Sequence, residues 1–350
     1  MAIRTPINSL RYGLEKIRLN LASLPFEASK TISIFGTPRS GTTWLMELLE
    51  KMPRYISLFE PLHPDWFSPP LETNRSYMLR PFLNPDQHNI EFKNYLESIF
   101  RGEVISRNPH FKWRHYLKRF YGQRLIVKFI RGNRILPWIT NNFNLRGEIL
   151  IIRHPCSTIA SQFKSGVTGY VTETERENEL KGIDIKLEMI LSEIKNVVPQ
   201  RIYESVKKLD DKESIYAVSW VLDYYIPLYY RKKYNFLVVP YEELVKNGRK
   251  ELDRIMKYLD VKDIPDKIYN EIEVPSKTAK RDYYKDKEDY YKKDKEKQLS
   301  KWKEHLSPKQ QENIFQILEL FDIDFYSESI YPHLDRLRKW KGEWRPNYNK

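Results

Sequence analysis

One cysteine, Cys156, stands among 350 residues. No intrachain disulfide can form, and no Cys/His cluster has the spacing of a zinc site, so no metal is expected. Cys156 reads as a small packed residue, since no His–Asn arrangement would make it a nucleophile. No run of about 18 apolar residues occurs, so no spanning helix is expected. A secretory leader is not expected either, because Arg4, Arg11, Lys16 and Arg18 interrupt the N-terminal region. A cytoplasmic protein is the default expectation. No repeat of solenoid length appears.

Aromatics and positive charge are plentiful. There are 24 Tyr, 16 Phe and 8 Trp, and 60 Lys+Arg against 47 Asp+Glu give a net charge of +13. That balance favours anionic ligands, nucleic acid or acidic membrane surfaces, and does not choose among them.

The stretch with most chemistry is T-I-S-I-F-G-T-P-R-S-G-T-T-W-L-M-E-L-L, residues 31–49. A β-branched and aromatic run (Thr31–Phe35) ending at a glycine predicts a buried strand. Pro38 and Gly41 punctuate a tight loop, and Leu45, Leu48 and Leu49 repeat at helical spacing. A strand feeding a small-residue loop into a helix N-terminus makes an anion site, because the first helical N–H groups have no intrahelical partner. Gly36 and Gly41 have the spacing of a nucleotide-binding G-x-x-x-x-G-K-[ST] loop, but Thr42 and Thr43 follow where Lys and Ser/Thr would stand. The cation comes early, at Arg39. Such a loop suits one terminal phosphate, with Arg39 facing the bond to be broken.

Other segments follow the same alternation. Ile3, Ile7, Leu10, Leu14, Ile17, Leu21 and Leu24 form an apolar stripe with basic flanks over residues 1–28. An amphipathic N-terminal helix is predicted there. It would pack on the body of the protein, pair with a twin subunit in a homodimer, or lie peripherally on an anionic membrane. Tyr55–Phe59 reads as a second strand delivering Glu60-Pro61-Leu62-His63 to the ligand edge of an open sheet. Glu60 is a candidate general base, and His63 a second. Residues 64–122 would build the acceptor side, where Trp66, Phe67, Trp113 and Tyr116 are either core or a platform for a sugar. Arg124–Ile130 is another strand; Lys128 inside it is costly unless paired. Gly147–Ile152 is the clearest core strand, ending in Arg153-His154-Pro155, with Ser157 as a helix cap and Ser161 one turn beyond it. A loop folding back would let Arg153 and Ser161 reach one second phosphate. Ser214–Lys233 predicts an apolar-aromatic helix, and Phe236–Val239 a strand ending at Pro240-Tyr241-Glu242-Glu243-Leu244. The Lys/Tyr-rich stretch between Lys277 and Lys297 is either a solvated helix or a basic lid over phosphates. Residues 335–350 form a basic, Trp-containing tail, mobile or laid on the surface. Alternating strands and helices predict an α/β fold: a P-loop-like central parallel sheet flanked by helices.

Taken in order, P-R-S-G-T-T-W (38–44), E-P-L-H (60–63), I-I-R-H-P (151–155) with Ser161, Y-E-E-L (241–244) and K-W-K-E-H-L-S (301–307) resemble the signatures of the sulfotransferase family. The matches span residues 31–321. The resemblance implies a single sulfotransferase domain over 29–334 and 3′-phosphoadenosine-5′-phosphosulfate (PAPS) as sulfuryl donor, with no metal. It implies that Arg39, Ser40, Gly41, Thr42 and Thr43 bind the 5′-phosphosulfate and that Trp44 stacks on adenine. Arg153 and Ser161 would bind the 3′-phosphate, Tyr241 the adenine, and Ser300, Lys301 and Trp302 would close over the nucleotide. Glu60 matches the base of the carbohydrate and protein-tyrosine branches. Arg39 stands where the small-molecule branch has Lys, which leans the chain toward the carbohydrate branch and a carbohydrate or glycolipid hydroxyl as acceptor. The rival readings are a P-loop kinase-like phosphotransferase, which lacks its G-K-[ST] and an acid after Ile152, and a basic nucleic-acid-binding protein, for which no recognised motif appears.

Overall fold

The computed structural model describes residues 26–63, 67, 69–70, 80–103, 124–165, 179–195, 197–272 and 295–346. Five parallel strands form one sheet in the order β2-β3-β1-β4-β5. They are β1 (Ile32–Phe35), β2 (Tyr55–Phe59), β3 (Arg124–Phe129), β4 (Gly147–Ile152) and β5 (Leu237–Pro240). Their registers align Phe35 with Phe129 and Leu150, Phe59 with Lys128, and Ile152 with Pro240. The expected α/β architecture with a parallel sheet is what forms.

Thr42–Leu49 is α1, Ile90–Phe100 α2, Leu136–Asn142 α3, Pro155–Ser165 α4, Glu179–Ile194 α5, Gln200–Val206 α6 and Lys212–Tyr230 α7. Tyr241–Lys246 is α8, Gly248–Tyr258 α9, Asp266–Glu271 α10, Lys295–Ser300 α11, Trp302–His305 α12, Pro308–Leu320 α13 and Leu334–Lys339 α14.

Strand side chains alternate between two cores, as a period of two requires. Phe35, Leu150 and Ile152 enter one, with Trp220, Tyr224 and Tyr225 of α7. Ile34, Ile149 and Ile151 enter the other, with Leu45, Leu48 and Leu49 of α1 and Leu252 and Ile255 of α9. Both faces being covered explains why the strands read as continuous apolar runs rather than alternating ones.

Two sequence expectations are corrected here, on the C-terminal tail and on Ser157. The tail is not loose over its described part: Trp344 is buried and stacks on Tyr225 with ring centroids 4.1 Å apart, and its N–H donates to the Tyr225 hydroxyl at 3.0 Å. Burying an indole against a phenol outweighs the basic composition around it. Of the two readings for Phe67, core holds: it is 3% exposed. Ser157 is not a cap, since α4 begins two residues earlier at Pro155; its hydroxyl donates to the Leu299 carbonyl at 3.4 Å. Trp66, Trp113, Tyr116, the stripe of residues 3–24 and the segment from 277 to 294 lie outside the described residues.

Candidate active site

Every strand of the sheet ends at one edge, and each delivers polar groups there. β1 runs into the loop 36–41, β2 into Glu60, β3 carries Lys128 and leads to Arg131, β4 leads to Arg153, and β5 to Tyr241. From β1 the chain builds β2 and β3 on one side of it and then crosses to β4 and β5 on the other, so the loop after β1 lies where an open sheet has its crevice.

The loop is tightly wound. A Cβ at Gly36 would lie 2.5 Å from Ser40 Oγ, and a Cβ at Gly41 would lie 2.5 Å from Tyr241 Cδ2. Gly41 has φ +101°, a conformation that glycine alone adopts freely. Arg39 has φ 73°, and left-handed backbone at a non-glycine is costly unless the surroundings hold it. They do. Arg39 Nε donates to Ser161 Oγ at 2.9 Å, and the Arg39 carbonyl accepts from an Arg153 guanidinium nitrogen at 3.0 Å. Gln162 Nε2 donates to the Pro38 carbonyl at 2.9 Å. Thus α4 grips the loop through two consecutive side chains. α1 starts at Thr42 with no side-chain cap, which leaves its first-turn amides facing the crevice edge.

Ser161 therefore sits differently from expectation. The structure brings Arg153 and Ser161 together, but around Arg39. Any phosphate held by Arg153 adjoins the loop rather than occupying a remote pocket. Arg153 also lies over the Tyr241 ring, its Cζ 4.5 Å from the centroid, and Trp44 meets Tyr241 edge-to-face at 5.7 Å. Trp44, Tyr241 and Arg153 form one wall. Among the described residues, the buried Arg153 Nε has no hydrogen-bond partner. A buried guanidinium donor with nothing to meet fits an anion that arrives with the ligand.

The C-terminal trio splits. Ser300 and Lys301 are half-buried near α4, and burial together with Lys164 pushes the Lys301 ammonium down to about 8, with Arg153 adding to the effect. Such crowding of positive charge suits an anion. Trp302 is corrected: it is 2% exposed and stacks on His154 at 4.6 Å, with Phe315 at its edge. Its ring is packed in the core.

On the other side of the crevice, Glu60 is 1% exposed with φ 56°. Its Oε1 lies 2.8 Å from Lys128 Nζ; its Oε2 accepts from the Ile130 N–H at 3.1 Å and lies 3.8 Å from Arg131. Lys128 Nζ also donates to Thr43 Oγ1 at 3.4 Å and sits 3.6 Å from the centre of the Phe59 ring. One ammonium thus joins the phosphate-side helix to the candidate base. Burial pushes Lys128 down and Glu60 pulls it back up. His63 is pushed down to about 3, first by burial and then by Arg131, so it is neutral and a feeble proton acceptor near pH 7. The lysine that the sequence marked as costly unless paired thus finds its partner in Glu60, with Arg131 close to the same carboxylate.

Among the described residues, no group of three or more His, Cys, Asp or Glu is placed to hold a metal ion. No helix among them is long and apolar enough to cross a membrane.

Fold and site define an α/β protein with a phosphate-cradling loop of P-loop type. The family model for the sulfotransferase domain matches residues 149–332, more than half of the chain, and the chain belongs to the sulfotransferase family. It is an enzyme of sulfuryl transfer to a hydroxyl-bearing acceptor, in a family that typically takes the group from PAPS. The match begins inside β4, so it includes Arg153, Ser161, Tyr241 and residues 300–302 but not the loop or Glu60. The sulfotransferase domain of the Synechococcus PCC 7002 olefin synthase is similar at 18% identity, over 85% of this chain and 95% of that one, with a TM-score of 0.39. Mouse sulfotransferase SULT7A1, solved in complex with PAP, is similar at 16% identity, over 92% and 93% of the two chains, with a TM-score of 0.38. Sulfotransferase STF9 from Mycobacterium avium is similar at 14% identity, over 90% and 81%, with a TM-score of 0.38. Likeness of this size carries no inference about substrate or residue roles. No curated protein matches the chain.

Proposed function

We propose that this enzyme transfers the sulfuryl group of PAPS to a hydroxyl of a carbohydrate or glycolipid, with residues 29–334 as one catalytic unit. The observation that carries the reading is the meeting of the loop, Arg153 and the Glu60–Lys128 pair at the ends of adjoining strands. In this reading Arg39, Ser40, Gly41, Thr42 and Thr43 hold the 5′-phosphosulfate. Arg153, with Ser161 positioning Arg39 beside it, meets the 3′-phosphate. Trp44 and Tyr241 face the adenine, and Ser300 and Lys301 close the rim.

The acceptor oxygen forms its bond to sulfur as the bond from sulfur to the 5′-phosphate oxygen breaks. The electron pair goes to that oxygen, beside Arg39 and the first amides of α1. Preorganised donors at such a position are typically worth ~2.7–4 kcal/mol each. The hydroxyl proton goes to Glu60. General bases contribute ~10²–10⁴-fold. Neutralising Glu60 leaves Lys128 without its counter-charge while negative charge grows near Thr43, so Lys128 follows the charge across the site. His63, pushed down to about 3, is a feeble proton acceptor. The preference for a carbohydrate rests on Arg39 and the Glu60-Pro61 segment, as the sequence resemblance has it.

Transfer of radiolabel from PAPS to a panel of polysaccharides, glycolipids, tyrosine peptides and small alcohols tests this. Label on a glycan or glycolipid is expected. Label confined to peptides or small alcohols overturns the acceptor assignment, and no label on any member, with no PAP binding, overturns the donor.

A further inference from the structure

We infer that Tyr224, in the middle of α7, is a positioning residue that sets the nucleotide loop and the end of β4 in register. The inference rests on the nucleotide reading above.

Tyr224 is fully buried. Its hydroxyl lies 3.3 Å from Thr37 N, 3.1 Å from Thr37 Oγ1 and 3.1 Å from the Ile151 carbonyl. A phenol has one proton and can accept two. The Ile151 carbonyl can only accept, so the proton goes there. The Thr37 N–H and hydroxyl then both donate to the phenol oxygen. All three neighbours are satisfied by one atom, and all are buried. Burial pushes the phenol up to about 12, so it stays neutral and keeps its proton for Ile151.

Each of these bonds bears on the site. Thr37 is the second residue of the loop, and its carbonyl accepts from the Ser40 N–H at 3.1 Å, which closes the turn carrying Arg39. Ile151 precedes Arg153 by two residues in β4, and its side chain lies within 2.7 Å of where a Gly36 Cβ would be. One helical turn before Tyr224, Trp220 Nε1 donates to the Arg153 carbonyl at 3.1 Å. Trp220 and Tyr224 share a helix face and hold the two chain segments that supply Arg39 and Arg153. The helix itself is locked in rotation. Asp223, the residue before Tyr224, is fully buried and binds Arg134 Nε at 2.9 Å and the Arg80 guanidinium, while Arg134 also reaches Glu193 at 2.5 Å. Nothing in the sequence marks Tyr224, since an aromatic in an apolar helix reads as core.

The neighbouring tyrosine supplies the control. Tyr225 also has a buried hydroxyl satisfied on both sides, donating to the Trp344 carbonyl at 2.9 Å and accepting from its N–H at 3.0 Å. Its bonds go to the C-terminal segment, not to the loop. Tyr224→Phe and Tyr225→Phe are therefore expected to lower the thermal midpoint alike. Only Tyr224→Phe is expected to weaken adenosine 3′,5′-bisphosphate (PAP), by about tenfold in calorimetric Kd. A Tyr224→Phe enzyme within about twofold of wild type, or a Tyr225→Phe enzyme that loses as much, overturns the inference. Thr37→Val gives a second measurement should Tyr224→Phe not fold: a PAP loss of a few-fold is expected, and unchanged affinity overturns the pairing. A wild-type chain that does not bind PAP removes the nucleotide reading and this inference together. Wild-type binding with an unaltered Tyr224→Phe removes only the inference.

Discussion

Lys128 Nζ lies 2.8 Å from one oxygen of Glu60 and 3.4 Å from the hydroxyl of Thr43, so a single buried ammonium spans the two halves of the site. Both members of the ion pair are nearly inaccessible, at 3% and 1% side-chain exposure. An arrangement like this is costly to build and more costly to break on one side only.

Lys128→Met should therefore destabilise strongly, by ~3–5 kcal/mol, because it leaves a carboxylate buried beside fewer cations. Adding Glu60→Gln should recover part of that loss in a denaturant titration while transfer of labelled sulfuryl stays absent. Glu60→Gln alone should abolish transfer with PAP still bound. Near-normal transfer would move the base elsewhere. A double variant no more stable than Lys128→Met would mean that the pair is not what the lysine satisfies.

How much of this was legible before folding depends on range. Four of the five strands were legible because each is a short apolar run stopped by Gly36, Glu60-Pro61, Arg153 or Tyr241, and local chemistry decides such boundaries. The loop was legible for the same reason: Gly36, Pro38 and Gly41 act within a few residues. Glu60 meeting Lys128 was not, because the partners lie on different strands and only the β2–β3 register brings Phe59 beside Lys128. Trp302 was placed at the nucleotide from a motif, but His154 takes its ring face. Trp344 looked like part of a basic tail until Tyr225 was found beneath it. That Ser161 would accept from Arg39 was not legible either, because the two lie 122 positions apart in the chain.

Arg39→Ala should reduce turnover ~10²–10³-fold and PAP affinity far less, as expected for a donor that matters most when charge develops on the leaving oxygen. Ser161→Ala releases Arg39 Nε from its 2.9 Å bond and should give a smaller loss of the same kind. Single-turnover transfer from labelled PAPS separates the two quantities. An Arg39→Ala enzyme with unchanged single-turnover rate would reject the assignment.

Glu242 offers a pH test. It is buried, accepts from the His154 N–H at 2.8 Å and from the Tyr326 hydroxyl at 3.0 Å, and is pushed up to about 7 by burial, against the pull of those donors and of Arg153. A carboxyl that binds its proton more tightly folded than unfolded favours the folded state at low pH. That contribution is lost as pH rises from about 4.5 through about 7. Glu148, pushed up to about 7 by burial, acts in the same direction. Glu242→Gln should thus flatten, without abolishing, the fall in urea midpoint between pH 5 and pH 8, a window about as wide as the shift. An unchanged slope would show that Glu242 does not titrate there.

Arg153 is the residue whose prediction separates donor recognition from chemistry. Its orphan Nε and its place over Tyr241 suit an anion beside that ring, while its other contact supports the Arg39 carbonyl. Two losses should follow from Arg153→Ala, and they differ in size. PAP should weaken by ~10–100-fold, the worth of hydrogen bonds to a charged group. 5′-AMP, which has no 3′-phosphate, should weaken only a few-fold, through the loosened Arg39 carbonyl. Titrating both nucleotides by calorimetry gives the ratio directly. Equal losses for PAP and 5′-AMP would mean that Arg153 serves only the loop and that the 3′-phosphate lies elsewhere, with Lys301 and Lys164 of α4, two cations crowded together, the next place to look.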